Sequence, residues 1–111
     1  MKLSIQLNGN TVALLIDGDT AQERDGTYNT LFNHEAIDQT SPEQTASGAY
    51  VTKTSLARLI HGVANWLQFK SGLEMETERT KYFFEERAKK FIATLPQARI
   101  LQRHEWAELG E

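Results

Sequence analysis

The feature that most constrains the fold is the opening run Leu3-Ser-Ile-Gln-Leu-Asn-Gly-Asn-Thr-Val-Ala-Leu-Leu-Ile16, two alternating segments separated by Asn8-Gly9. An Asn-Gly pair supplies the two positive φ values of a type I′ turn, whose twist matches that of the strands it joins. Closing on Asn8-Gly9 predicts pairing of Leu7 with Asn10, Ile5 with Val12 and Leu3 with Leu14. Leu3, Ile5, Val12, Leu14 and Ile16 then share one face, and Lys2, Ser4, Gln6, Thr11 and Ala13 take the other. A three-residue turn would slide the pairing by one and set Gln6 opposite Val12, so the short turn is the consistent reading.

At 111 residues and 40% hydrophobic, the chain suffices for one core and is too short for two, so residues 1–111 are expected to form a single domain. The absence of cysteine excludes a disulfide framework and thiolate metal sites and suits a reducing compartment. No window approaches a membrane span, and the first residues lack the apolar stretch and cleavage site of an export signal. A soluble, cytoplasmic protein without membrane partners is the expectation.

The net charge of −3 hides an asymmetry. Residues 1–51 carry two basic groups against seven acidic ones, a net of −5, whereas residues 52–111 carry ten against eight, a net of +2. Between Arg79 and Arg103, seven basic residues face only Glu85 and Glu86, a net of +5. Such separation steers anionic partners or orders self-association.

Beyond the hairpin, Asp17-Gly-Asp-Thr and Asp25-Gly26 read as turn signals before Thr27-Tyr-Asn-Thr-Leu-Phe32, which extends residues 1–32 into an antiparallel meander of three or four strands. Residues 33–54 are polar, contain Pro42 and read as a long loop with one helical turn at His34 to Asp38. From Ser55 to Phe69 the period becomes helical, with Leu56, Leu59, Ile60, Val63, Ala64 and Leu67 as the inward stripe, Thr52 or Thr54 as cap and Lys70-Gly72 as end. Ser71-x-x-Glu74 fits a capping box for a second helix, whose stripe is Phe84, Ala88, Phe91, Ile92 and Leu95 and which must stop before Pro96. Gly72 either separates two helices or bends one, and residues 96–111 form a tail that is strand or short helix. The expected class is α+β, an N-terminal antiparallel meander packed against two amphipathic helices within 55–95.

Two constellations carry possible chemistry. Asp17 and Asp19 stand where a buried strand enters a turn, a common place for metal-binding carboxylates, with Glu35 or Asp38 as further ligands of a divalent-metal hydrolase. Leu-Leu-Ile-Asp-Gly-Asp-Thr20 is similar, over about six residues, to the opening motif of haloacid dehalogenase-type phosphatases, but its Thr follows the first Asp one residue too early. His34-Glu35-Ala-Ile-Asp38 is similar to the helical His-Glu-x-x-His of zinc hydrolases, with Asp in the second ligand position. No nucleophile elbow, P-loop or Gly-x-Gly-x-x-Gly is present, and neither an enzyme nor a cofactor is the primary expectation.

The second helix offers a different surface. At about 100° per residue, Tyr82 and Phe83 fall off the Phe84 stripe among Arg79, Glu86, Lys89 and Lys90. Exposed aromatics among cations have the composition of a binding patch. The chain therefore reads as an interaction module, an adaptor, inhibitor or regulator of bacterial or phage accessory type that self-associates as a homodimer. Nucleic acid is the alternative partner, met by Arg79, Lys81, Arg87, Lys89, Lys90, Arg99 and Arg103 through phosphate contacts and stacking.

Overall fold

In the computed structural model, which describes residues 2–38, 41–72 and 77–107, the opening hairpin joins β1 (Lys2–Asn8) to β2 (Thr11–Asp17). Its register places Asn8 opposite Thr11, Leu7 opposite Val12, Ile5 opposite Leu14 and Leu3 opposite Ile16. Gly9 and Asn10, rather than Asn8 and Gly9, therefore occupy the two central turn positions. Gly9 has φ 63 and Asn10 has no positive φ, the φ signature of a type II′ turn with glycine first. The expected pairing is corrected by one residue on each strand. Parity is preserved, so Leu3, Ile5, Val12, Leu14 and Ile16 are all buried on the predicted common face.

The chain then forms α1 (Ala21–Asn33) where a third meander strand was expected. Thr20 caps it by accepting the Glu23 amide at 3.1 Å, and the Glu23 carboxylate reaches back to the Asp19 amide at 2.9 Å. This is a Thr-x-x-Glu box whose return bond lands one residue early. Asp25-Gly26 lies inside the helix, not at a turn. Its C-terminal end is a Schellman closure, with the Ala36 amide bonded to Leu31 O at 2.9 Å and the Glu35 amide to Phe32 O at 3.0 Å. Residues 34–38 are thus the exit of α1 and not a separate helical turn.

Two strands lie within the stretch expected to be a polar loop. β3 (Glu43–Gln44) and β4 (Tyr50–Ser55) complete a four-stranded antiparallel sheet in the order β1-β2-β4-β3. β4 escapes a hydrophobic pattern because its buried side chains are Thr52 and Thr54, which pair with Leu14 and Val12 on the core face. The turn between β3 and β4 is pinned to α1. Arg24 donates to Gly48 O at 2.8 Å and to Asp25 at 3.0 Å, and it lies 4.5 Å from the Tyr50 ring centroid, while the Tyr50 hydroxyl donates to Asp25 at 2.6 Å.

The predicted stripes build α2 (Leu56–Ser71) and α3 (Glu78–Ala93). Ser55 caps α2 by accepting the Arg58 amide, displacing Thr52 and Thr54 from that role, and Gly72 ends it in the left-handed region at φ 75. Of the two readings of Gly72, the one that separates two helices is observed. Ser71 closes α2, its hydroxyl donating to Gln68 O, and Thr77 caps α3, so Ser71 is not the cap of the second helix. The other half of that predicted capping box, Glu74, lies outside the described residues. Phe84, Ala88 and Ile92 enter the core with Leu31, Leu59 and Val63 from α1 and α2, while Phe91 and Leu95 border it. Gly62 lets α2 approach the exit of α1, since a Cβ there would stand 2.3 Å from Ala36 Cα.

Of the two expected forms the tail takes the short helix, preceded by an isolated parallel bridge to β1 rather than a strand. It first runs beside β1, with the Ile5 amide donating to Pro96 O and the Ala98 amide to Ile5 O, each at 2.9 Å. It then crosses the back of the sheet and ends in α4 (Arg103–Ala107). Ile100, Leu101 and Trp106 cover Ala13 and Val51 there. Gln6 holds the crossing, accepting the Ile100 and Leu101 amides at 2.8 and 2.7 Å and donating to Leu101 O at 3.3 Å. The architecture is α+β, as the hairpin and helical stripes predict.

Candidate functional site on the outer face of α3

Thr77 starts α3 by accepting the Thr80 amide at 3.2 Å. Glu78 in the first turn and Lys90 in the last agree in sign with the helix dipole. The buried Phe84, Ala88 and Ile92 fix the rotation of the helix about its axis. Arg79, Phe83, Glu86 and Lys90 follow one another at three- and four-residue steps on the opposite side, and Tyr82 and Lys89 flank them. All six sequence-predicted residues are thereby brought into one outward sector of about 120°.

Two aromatic rings stand in that sector, with Tyr82 65% and Phe83 50% exposed. The Phe83 ring meets Phe84 edge-on at 5.2 Å, and the Arg87 guanidinium lies 5.1 Å from its centroid. Phe83 is therefore held in place at its base while much of its surface faces water. Arg87 belongs to the patch although its position near the edge of the sector hid it from the helical wheel. Lys89 donates to Glu86 at 3.2 Å, whereas Arg79, Lys81 and Lys90 have no ion pair among the described residues. The face is amphipathic and carries excess positive charge.

A second aromatic outlier lies where α1 meets α2. Phe69 is 71% exposed and tilts against His34 at 5.3 Å. Two adjoining clefts share Asn33 and Glu35, one bounded by Ile37, Asp38 and Arg58, the other by Asn65, Gln68 and Phe69. Glu35 has φ 65, the sole positive φ among described non-glycine residues. The sequence signal for this corner is Phe69 itself, an aromatic residue that ends the helical segment outside its inward stripe.

The carboxylate constellations resolve into local structure. Asp17 accepts the Gly18 amide at 2.9 Å, and Asp19 is paired with Lys2, whose hydrogen bond and charge hold the Asp19 carboxyl below its ordinary value. Glu35 and Asp38 lie beyond the end of α1, and Asp38 is 3.9 Å from Arg58. His34 and Asp38 therefore do not share a helix face as the zinc-hydrolase spacing would require. His61 is exposed and lies 3.2 Å from the Asn65 amide nitrogen one turn on. Among the described residues no three His, Cys, Asp or Glu side chains converge as a metal site, and no helix is long and apolar enough to cross a membrane.

The basic segment is divided between the two sides of the sheet. Its α3 members lie on the helical side, whereas Arg99 and Arg103 border a cleft on the tail side with Gln6, Asn8 and Trp106. No family model, curated protein or solved structure matches this chain.

Proposed function

We propose that this chain is a cytoplasmic protein-interaction module, an adaptor, inhibitor or regulator that also binds its own kind, and that its binding surface is the outer face of α3. The observation that carries this reading is the pair Tyr82 and Phe83, half or more exposed and set among cations directly opposite the helix's buried stripe. Tyr, Phe and Arg are the residue types from which interface anchors are drawn. Removing the remaining surface of both rings from water contributes on the order of 2–3 kcal/mol, and rim cations orient an acidic partner.

The test is capture of protein from a host lysate by the wild type and by a Tyr82→Ala/Phe83→Ala variant. Phe83 meets the buried Phe84 edge-on, so the variant is expected to lose about 1 kcal/mol of stability, to stay folded and to lose its captured protein. Equal capture by two folded proteins removes α3 from the binding role. Recovery of nucleic acid released by salt favours the alternative partner, although division of the basic segment between two sides of the sheet gives a duplex no continuous track.

A further inference from the structure

We propose that Asn8 is a site of spontaneous covalent modification, deamidated in the folded protein through attack by the backbone nitrogen of Gly9. No residue of the α3 face takes part. An asparagine side chain is lost when the amide nitrogen of the next residue bonds to its Cγ, closing a succinimide ring and expelling the side-chain nitrogen as ammonia. The attacking nitrogen must shed its proton and be clear of other bonds, and the residue that carries it must be small enough for the ring to close. The chain has five asparagines, and only Asn8 is followed by glycine.

The fold singles out the same residue. Asn29 and Asn33 lie in α1 and Asn65 in α2, so the backbone around them is held in helical turns, and the His34 amide donates to Thr30 O at 3.2 Å. Asn10 precedes Thr11, whose amide is taken by the ladder. The Ile5 amide and carbonyl point outward to the tail, which makes Ile5 and Leu14 a pair without mutual hydrogen bonds and Asn8 and Thr11, three positions on, a pair that exchanges both. Gly9 stands at the first central position of the turn, where the amide has no ladder partner, and that amide makes no hydrogen bond among the described residues. A Cβ built on Gly9 would meet nothing within 4 Å, and Asn8 is exposed, so the ring closes in open space. The two Asp-Gly pairs supply the contrast. Gly18 donates its amide to the Asp17 carboxylate and Gly26 lies within α1, and an ionised carboxylate is a poorer electrophile than an amide.

Water then opens the ring at either carbonyl. One opening gives aspartate; the other gives isoaspartate, in which the main chain runs through the side-chain carbons and the former backbone carboxyl hangs free. Either product adds one negative charge to the net −3 of the chain. Asn8 borders the cleft between the hairpin and α4 together with Arg99 and Arg103, which form no ion pair among the described residues. The new carboxylate therefore joins the rim of a cationic cleft and offsets part of its charge. Isoaspartate also lengthens β1 at its last residue, which costs the pairing of Asn8 with Thr11 and leaves the register from Leu7 and Val12 onward in place.

Incubation of the full chain at neutral and mildly alkaline pH, followed by peptide mapping with mass spectrometry and assay of released ammonia, tests the proposal. Circular dichroism checks that the samples stay folded. Asn8 is expected to convert to aspartate and isoaspartate about tenfold or more faster than any other asparagine, and faster as pH rises because the attacking nitrogen must lose its proton. Asn8→Gln, whose longer side chain closes a ring far less readily, should release no ammonia over the same interval and keep its charge. A folded wild type in which Asn8 stays intact overturns the proposal, and conversion of a free peptide spanning Leu7 to Thr11 under the same conditions would assign the protection to the hairpin. Conversion of Asn10, Asn29, Asn33 or Asn65 at the same rate also overturns it, since the free Gly9 amide would then confer no selectivity.

Discussion

On one face of the sheet, Leu3, Ile5, Val12, Leu14 and Ile16 meet side chains from α1, α2 and α3; on the other, among the described residues, Ala13 and Val51 are covered by Ile100, Leu101 and Trp106 of the tail. The first face is closed by many contributors, so removal of one side chain leaves a hole that its neighbours cannot fill. The second is closed by one strap and one polar clamp, Gln6, so damage there lifts the strap and lets water in. Loss on the helical face is therefore set by cavity and clash, and loss on the tail face is capped by the free energy of docking.

The largest expected effect breaks the helical face at its tightest point. Gly62→Ala puts a Cβ 2.3 Å from the Ala36 backbone, where no side chain can swing aside. Either α2 or the exit of α1 must move, at a cost of about 3 kcal/mol. Denaturant unfolding measures it. A loss within about 0.5 kcal/mol would mean that the two elements slide freely and that the face is not closed as described.

Next in size is the tail face. Trp106→Ala is expected to cost about 2–3 kcal/mol, and Gln6→Ala about 1–2 kcal/mol through its three hydrogen bonds to residues 100 and 101. If both variants act by lifting the same strap, the double variant costs hardly more than Trp106→Ala alone, and the Ile100 and Leu101 amides exchange rapidly in all three proteins. Additive losses would contradict the shared mechanism and show two independent contacts.

A smaller pair of changes sharpens the comparison inside the helical face. The Thr54 hydroxyl donates to Ala36 O at 2.9 Å, whereas the Thr52 hydroxyl is buried without a hydrogen-bond partner among the described residues. Thr54→Val should destabilise by about 1 kcal/mol, and Thr52→Val should be neutral or stabilise by up to about 1 kcal/mol. Equal signs in unfolding experiments would show that the two hydroxyls have equivalent surroundings.

These threonines also explain where the sequence is opaque. The opening hairpin is legible because strand parity survives a change of turn: moving the central pair from Asn8-Gly9 to Gly9-Asn10 shifts both strands and turns neither over. The stripes of α2 and α3 are legible because leucine, isoleucine and phenylalanine repeat with the helical period. In α1 only Thr27 and Leu31 are buried, and an interior Gly26 costs about 1 kcal/mol of helix propensity, so its periodicity is weak and Asp25-Gly26 imitates a turn. Its evidence lay in the Thr20-x-x-Glu23 cap instead. β4 buries hydroxyls rather than hydrocarbon, so its pattern resembles a loop. The α3 face was readable as what the core stripe leaves outside. The Glu35 corner was not, because its backbone geometry follows from the end of a helix that the pattern does not announce.

The smallest effect tests the polar cluster that ties α1 to β4 on the helical side. The Tyr50 hydroxyl at 2.6 Å and, secondarily, the Arg24 guanidinium at 3.0 Å hold the Asp25 carboxyl below its ordinary value near 3.8. The unfolded chain therefore takes up this proton at higher pH than the folded one. The stabilisation is fully present above the ordinary value and is lost as pH falls through the lower folded value. Because Asp25 is half exposed, solvent screens the interaction and the slope is shallow. The difference in unfolding free energy between wild type and Asp25→Asn should be constant near neutral pH and shrink in acid. A difference that persists unchanged below the folded value would assign the cluster to packing of the Tyr50 ring rather than to charge, and would make it an extension of the helical core.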